Sequence, residues 1–318
     1  MFLIDQYKSV SEKILITMTP TAGFTVGFSL AFTGTVSIDF KDGGGIEALT
    51  SGVEKTNTYA GAGTYIAEIT GDLTTITEFI ADNCRIVTFD NTLKTGLLTN
   101  FNISDNIFVG NLNLTLATIS ETFIVSGNAG LTGFTFAPAG NGKMEFFYFQ
   151  DCNVTGNIDF QTPNITVGDN IRGYNNSNFT GFTFAASGNT LVDNLRIYSC
   201  NIATIDFSNV PLGGIIYVYN NVLTSITFAP VGNGSLSALY VYGNSLPDVD
   251  FSGFTTGNPL LYVFNNSFSA TESDDQIINV DATGMINGTL NIITGNAART
   301  TASDVAYNNL IANGWAIV

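Results

Sequence analysis

An Asn or Cys recurs along most of this chain at nearly constant spacing, and this regularity limits the possible folds more than any other feature. The position is filled nine times, by Cys84, Asn106, Asn128, Cys152, Asn176, Cys200, Asn221, Asn244 and Asn266. Successive members lie 21 to 24 residues apart. A period of this length is typical of stacked coils that each bury apolar side chains against the next coil. The sequence therefore predicts a solenoid of about nine coils.

An apolar pattern precedes each member of this series, which we call the Asn/Cys ladder. In Leu236-Ser-Ala-Leu239-Tyr-Val241-Tyr-Gly-Asn244-Ser-Leu246 it resembles the leucine-rich repeat at every fixed position. That resemblance implies a buried Asn that bonds the backbone where the chain turns inward. All three cysteines occupy the ladder. The nearest two are two coils apart, about 9 to 10 Å at strand spacing, beyond the roughly 7 Å that a disulfide spans. We expect three free, buried thiols.

A second apolar column lies on the opposite side of each coil. It consists of Phe136, Phe160, Phe184, Phe207, Phe228 and Phe251, and the preceding residues alternate as Thr135, Asp159, Thr183, Asp206, Thr227 and Asp250. The alternation makes the true sequence period two coils. A coil of 21 to 24 residues has no room for a long helix beside these segments. We predict an all-β, leucine-rich-repeat-like β-solenoid with short strands on both faces.

The two ends of the chain depart from the repeat. We expect an N-terminal tether at 1–13, a small immunoglobulin-like β-sandwich at 14–73, the solenoid at 74–296 and a C-terminal helical cap at 297–318. The segments Phe40-Lys-Asp-Gly43 and Asn57-Thr-Tyr59 resemble two motifs of PKD-type sandwich domains, an aromatic-Gly-Asp-Gly turn and His-x-Tyr, with Lys41 and Asn57 as departures. Such a sandwich is expected to cover the first edge of the solenoid.

The tail from Ala298 to Trp315 has the signature of a short capping helix. Ser303 is expected to cap its start and Gly314 to lie beyond its end, while Val305, Leu310 and Trp315 close the last coil. The segment is similar to the end of leucine-rich-like proteins of Bacteroidetes bacteria and their phages.

Charge and composition argue against several partners. Acidic residues outnumber basic ones 26 to 10, giving a net charge of -16, and this field repels nucleic-acid phosphates and anionic lipid headgroups. No apolar run is long enough to cross a bilayer, and Asp5 follows Met1–Ile4 before a signal-like stretch develops. We predict no nucleic-acid or membrane partner and no secretion signal. An extracellular role then needs another export route, such as release inside a virus particle.

The chain contains no histidine, which excludes Ser-His-Asp and Cys-His catalysis and His-dependent metal sites. The remaining enzymatic hypothesis is a glycan depolymerase with paired carboxylates, which glycosidases place about 5 to 9.5 Å apart. Asp159, Asp206 and Asp250 lie in one predicted file, about 9 to 10 Å apart. The interleaved Thr residues favour another interpretation, in which they keep like charges off adjacent coils and supply hydroxyl partners.

Two acidic groups are conceivable calcium ligands. These are Asp39 with Asp42, and the cluster from Glu272 to Asp275, and neither has the spacing of an EF-hand. Solvated turn residues are the preferred interpretation. We therefore predict no enzymatic activity, no metal and no cofactor.

One sheet face is unusually aromatic. Side chains alternate along a strand, so the residues flanking the second apolar position of each repeat point outward in two files. The inner file contains Asn102, Ile124, Tyr148, Arg172, Arg196, Tyr217, Tyr240 and Tyr262, and the outer file contains Ser104, Ser126, Gln150, Tyr174, Tyr198, Tyr219, Tyr242 and Phe264. Eight of the twelve tyrosines lie in these files. Tyr and Arg are enriched at recognition surfaces. Mutual support of stacked tyrosines is the alternative.

Three functional hypotheses follow from these observations. The first is a non-enzymatic phage virion protein, a head or tail fibre or decoration subunit, whose Tyr face contacts a host surface glycan or protein, another virion protein or a second copy of the chain. The second is a bacterial cell-surface or extracellular adhesin, for which the expected signal or sorting segment is missing. The third is the glycan depolymerase.

Overall fold

The computed structural model describes residues 13–89, 95–161, 165–234, 236–254 and 258–318. Apart from Lys13, the predicted tether at 1–13 lies outside these ranges. The chain divides into two compact units, the first formed by Met1–Ser120 with Asn128–Asn141 and the second by Glu121–Gly127 with Gly142–Val318. The fold is an all-β solenoid of about eight turns with a short C-terminal helix, which confirms the predicted fold class.

Six short strands begin the first unit. They are β1 (Lys13–Met18), β2 (Thr25–Ala31), β3 (Val36–Asp39), β4 (Ile46–Ala48), β5 (Lys55–Thr58) and β6 (Tyr65–Gly71). Four of them pair antiparallel in the order β4-β3-β6-β1, while β2 pairs with β5. Every second side chain of β1, β2 and β3 is buried, the period of strands with one face on a core. The rings of Phe28 and Phe40 meet in that core, 5.9 Å apart.

The turn after β3 is held by Tyr59. Its buried hydroxyl donates to the carbonyl oxygen of Phe40 at 3.1 Å, and burial raises its pKa to about 12. Asp39 pairs with the ammonium of Lys41 at 2.7 Å, and Asp42 accepts a hydrogen bond from the backbone of Gly44. The two acids considered as calcium ligands therefore support the turn itself.

The next strands alternate between the two faces of the coils. They are β7 (Glu78–Ile80), β8 (Ile86–Phe89), β9 (Leu97–Asn102), β10 (Val109–Leu114), β11 (Thr118–Ile124) and β12 (Gly130–Phe136). Within the first unit, β7 pairs antiparallel with β2 and parallel with β9. Leu30 of β2 lies opposite Phe79 of β7, so β2 covers the edge of the first coil.

The second unit repeats this alternation over further coils. Its strands are β13 (Met144–Tyr148), β14 (Thr155–Asp159), β15 (Val167–Arg172), β16 (Asn178–Thr183), β17 (Val192–Arg196), β18 (Thr204–Asp206), β19 (Leu212–Tyr217), β20 (Ser225–Thr227), β21 (Leu236–Tyr240) and β22 (Leu260–Tyr262). The front face is a parallel sheet that runs from the end of β11 through β13, β15, β17, β19, β21 and β22. Its register places fully buried side chains in one line, namely Phe123, Phe147, Ile171, Leu195, Ile216, Leu239 and Leu261.

The back face is paired two strands at a time. β14 pairs with β16 and β18 with β20 in the second unit, and β10 pairs with β12 in the first unit. Two of these pairs place an Asp opposite a Thr, Asp159 with Thr183 and Asp206 with Thr227. The period of two coils that is visible in the sequence is therefore the pairing period of the back strands.

Two helices and two short strands complete the second unit. They are α1 (Ala270–Ala282), β23 (Thr289–Asn291), α2 (Asp304–Ala312) and β24 (Ala316–Ile317). β23 and β24 extend the front sheet. Helix α1 was not predicted, although Ser269 and Glu272 form a capping box at its start. The cluster from Glu272 to Asp275 thus lies in the first turns of a helix, and Asp274 accepts hydrogen bonds from Thr300 and Ser303.

The predicted C-terminal helix exists as α2, but two of its expected details are wrong. Ser303 precedes α2 without capping it, because its hydroxyl donates to Asp274 at 2.6 Å. Val305 is 76% exposed and packs no coil, since it lies on the outer side of α2. Leu310 and Trp315 are buried as predicted, and the Trp315 indole donates to the carbonyl oxygen of Met285 at 2.9 Å.

Candidate binding surface

The Asn/Cys ladder connects each coil to its neighbours by hydrogen bonds. Asn244 is the example: its amide nitrogen donates to the carbonyl oxygens of Val218, one coil earlier, and Val241, while its amide oxygen accepts from the backbone of Asn221 and Leu223. Asn106 and Asn128 in the first unit, and Asn176, Asn221 and Asn266 in the second, make bonds of the same kind. Four bonds from one buried side chain hold the coils in register.

The cysteines fill the same ladder position with fewer bonds. The thiols of Cys152 and Cys200 donate to the carbonyl oxygens of Val125 and Gly173, each at 3.3 Å. All three cysteines are free, as predicted. Cys200 is partly exposed, so the expectation of three buried thiols is wrong for this residue. Burial raises the pKa of Cys84 to about 12 and that of Cys200 to about 11, which keeps both thiols protonated and unreactive.

A left-handed residue immediately precedes every ladder position. These residues are Asn83, Asp105, Gly127, Asp151, Asn175, Ser199, Asn220, Gly243, Asn265 and Gly295, with φ between 49° and 72°. Asn, Asp and Gly adopt this conformation most readily, and Ser199 is the exception. The last member reveals a further ladder residue, Asn296, which accepts from the backbone of Asn266 at 3.0 Å. Sequence spacing missed it because α1 is inserted before it.

Regular coils align the outward side chains of the front face, and the outer file forms a continuous stack. The rings of Tyr174, Tyr198, Tyr219, Tyr242 and Phe264 follow one another with centroids 4.5 to 4.6 Å apart and ring planes within 10° of parallel. Every ring is only half-buried. The five aromatic residues among the eight that the sequence assigned to this file are therefore brought together.

The inner file stacks in the same way and includes two arginines. Tyr217, Tyr240 and Tyr262 lie 4.6 and 4.7 Å apart with nearly parallel rings. The guanidinium carbon of Arg172 lies 4.5 Å from the ring centre of Tyr148, and that of Arg196 lies 5.4 Å from Tyr217. Planar guanidinium groups thus continue the stack where rings are missing.

Rings of the two files meet edge to face, as Tyr217 and Tyr219 do with centroids 6.2 Å apart and planes at 75°. Neighbours within each file cover the ring faces, so ring edges and hydroxyls are what the surface presents outward. We call the set of Tyr148, Tyr174, Tyr198, Tyr217, Tyr219, Tyr240, Tyr242, Tyr262, Phe264, Arg172 and Arg196 the aromatic surface. It lies entirely in the second unit.

Five phenols of the aromatic surface have raised pKa values and stay neutral over the ordinary pH range. Burial among the neighbouring rings raises the pKa of Tyr198 to about 12, and it also raises the pKa of Tyr148, Tyr219, Tyr240 and Tyr242. A neutral phenol both donates and accepts hydrogen bonds. The surface therefore offers rows of hydroxyl groups at the spacing of the strands.

Outward side chains of the back face have local partners instead. Asp159, Asp206 and Asp250 each accept a hydrogen bond at 2.8 Å from the backbone nitrogen two residues later. Thr135 and Thr183 each accept one from an Asn on the neighbouring strand. The acids considered as a catalytic pair therefore each fix a local turn.

A second set of Asn side chains joins the coils near the back face. Asn141 in the first unit and Asn189 and Asn233 in the second each donate to the carbonyl oxygen four residues earlier and accept from a backbone nitrogen 21 or 22 residues away. The sequence signal for this set is the recurring Gly-Asn that ends Phe-Ala-Pro-Ala-Gly-Asn141 and its equivalents.

Within the described ranges, no group of three or more Cys, Asp or Glu side chains is arranged to hold a metal ion. Neither α1 nor α2, the α-helices of the described residues, has the length and apolar character that crossing a membrane requires. Comparisons with protein-family models, with curated proteins and with solved structures gave no match to this chain.

Proposed function

We propose that this chain is a non-enzymatic recognition protein that contacts its partner through the aromatic surface. The observation that carries the proposal is the pair of stacked files, which leaves a broad set of half-buried rings, hydroxyls and two cations on one face of the second unit. Extended aromatic patches on a protein surface mark sites of interaction. Tyr suits this role because it offers rigid, amphipathic area at a low entropic cost.

The biological setting that we propose is a phage particle, in which the chain is a head or tail fibre or a decoration subunit. The support is the similarity of the segment from Ala298 to Trp315 to the ends of leucine-rich-like proteins of Bacteroidetes and their phages. The PKD-like turn at Phe40–Gly43 fits a small accessory sandwich in such a protein. The partner is then a host surface glycan or protein, or a neighbouring subunit.

Removing only the hydroxyls tests the proposed role of the surface. The triple variant Tyr198→Phe, Tyr219→Phe, Tyr242→Phe keeps the stacked rings, while Tyr65→Phe with Tyr307→Phe is a control away from the surface. We expect wild type and control to bind an array of purified bacterial surface polysaccharides or immobilised copies of the chain, and the triple variant to lose at least about tenfold in affinity. Equal binding by all three proteins would remove the recognition role.

A further inference from the structure

Two arginines of the aromatic surface occupy an unfavourable arrangement. Arg172 of β15 and Arg196 of β17 lie directly opposite each other in the register of the parallel sheet. Like charges at such positions destabilise a sheet. Among the described residues, neither arginine takes part in any ion pair, although the chain carries a net charge of -16. Two adjacent guanidinium groups thus have no carboxylate within ion-pair distance among the described residues.

Neighbouring side chains hold both arginines in place and leave the Nη atoms of their guanidinium groups free. The Nε atom of Arg172 donates to Asn170 at 3.3 Å, and that of Arg196 donates to Asn194 at 3.0 Å. Each guanidinium also stacks on a ring, Arg172 on Tyr148 and Arg196 on Tyr217. Throughout the described ranges, the Nη atoms of the two arginines form no hydrogen bond with the protein. Both guanidinium groups are therefore held in a fixed orientation before any ligand binds.

Several groups close to the two arginines can donate hydrogen bonds. Tyr174 and Tyr198 occupy the outer file two residues beyond the arginines, and their rings stack 4.6 Å apart. The amide oxygens of Asn170 and Asn194 are already used by the Nε atoms, so their amide nitrogens are the groups left to donate. Two guanidinium groups with hydroxyl and amide donors beside them are suited to bind an anion whose oxygens lie in one plane.

We infer that Arg172 and Arg196 form an anion subsite of the aromatic surface that binds the carboxylate of an acidic polysaccharide. The inference rests on the proposed recognition function and names its ligand class. A polysaccharide is favoured over an acidic protein segment because it carries many hydroxyl groups beside its carboxylates, and the phenols and amide nitrogens around the arginines can bond to them. The phenols form rows whose ring centres lie 4.5 to 4.7 Å apart, so one polymer can contact several of them.

Calorimetric binding to defined probes tests the inference. The probe is an oligogalacturonate, its methyl ester is the uncharged control, and polyglutamate and inorganic phosphate represent an acidic peptide and a free anion. We expect the wild type to bind oligogalacturonate at least about tenfold more tightly than the ester. No preference over the ester contradicts the subsite. Equal or tighter binding of polyglutamate or phosphate contradicts the assignment to a polysaccharide.

Substitution of the arginines links the binding to this subsite. The double variant Arg172→Gln, Arg196→Gln is expected to lose the preference for the carboxylate, whereas Arg172→Lys, Arg196→Lys retains part of it because charge remains without the planar fork. Arg299→Gln, which removes a cation near α2, is expected to bind like wild type. Unchanged affinity in the double Gln variant overturns the inference.

These variants also separate the subsite from the wider recognition proposal. The double Gln variant is expected to melt close to the wild type, because the lost ring contacts are offset by the removal of like-charge repulsion. If it binds the polysaccharide array normally while the triple Tyr→Phe variant does not, the subsite fails and the recognition role stands. If neither variant loses binding to the array, both the subsite and the recognition role are contradicted.

Discussion

The front and back faces of the second unit are built from the same coils, yet their outward side chains serve different purposes. On the back face, Asp206 satisfies a backbone nitrogen and Thr183 accepts from Asn157. On the front face, Tyr219 and Tyr242 form no contact that the turns or strands of the coil require, and they stack on equivalent rings instead. Local structure explains the back face. The front face is the surface for which we propose a partner.

The difference extends to how the strands pair. Front strands form one continuous parallel sheet, so a file of side chains continues from coil to coil. Back strands pair two at a time, β14 with β16 and β18 with β20, and their outward residues alternate accordingly. Only the continuous sheet can display a long uniform surface, and the aromatic residues occur there.

The largest expected effect concerns the ladder that both faces share. Asn244→Ala removes four hydrogen bonds and leaves buried backbone groups unpaired, so we expect the free energy of unfolding to fall by about 4 kcal/mol. Asn233→Ala, in the second set of Asn side chains near the back face, should cost about 1 to 2 kcal/mol. Urea denaturation measures both, and equal losses would contradict the greater importance of the Asn/Cys ladder.

The next effect compares an outward residue on each face. Tyr219→Ala removes two stacking contacts and should lower the free energy of unfolding by about 2 kcal/mol. Thr183→Ala removes one exposed hydrogen bond and should lower it by about 0.5 to 1 kcal/mol. The same denaturation experiment applies. A cost for Tyr219→Ala below that for Thr183→Ala would show that the rings do not support one another.

A smaller effect tests the backbone that turns each coil away from the front face. Ser199 has φ of 55° where other coils use Asn, Asp or Gly. Ser199→Asn is expected to raise the free energy of unfolding by about 0.5 to 1 kcal/mol, and Asn220→Ser, at the equivalent position one coil later, to lower it by a similar amount. Thermal melting of the two variants should shift in opposite directions, and shifts in the same direction would contradict the account.

The smallest effect at neutral pH concerns proton binding by the front face. The pKa of Tyr198 is about 12 when folded and about 10 in an unfolded chain. Its neutral form is thus favoured by folding, and the associated stability is fully present below pH 10 and is lost as pH rises through about 12. Phenolate absorbance should show a late-titrating component, to which Tyr59 also contributes, and Tyr198→Phe should reduce its amplitude without removing it. Titration of every tyrosine near pH 10 would contradict the stacked arrangement.

The sequence allowed the coils and the membership of both files to be predicted, because the spacing of Asn244 and its equivalents fixes which side chains point outward. The orientation of the rings could not be predicted from the sequence, because the rotamer of Tyr219 depends on Tyr198 and Tyr242 in neighbouring coils. Helix α1 was missed because its capping box lies inside a coil, where the repeat predicted only turns. The Asp and Thr alternation was detected, and the structure adds the partners that the sequence could not name, Asn157 for Thr183 and the backbone nitrogen of Ser208 for Asp206.

The most direct test places the same charge on each face and measures binding to the array of bacterial surface polysaccharides. Tyr240→Glu interrupts the inner file of the aromatic surface, and Thr227→Glu adds an acid to the back face at an exposed position. With both variants held below their melting temperatures, we predict that Tyr240→Glu abolishes binding and that Thr227→Glu binds like wild type. Absence of wild-type binding, or equal loss in the two variants, would contradict recognition through the front face.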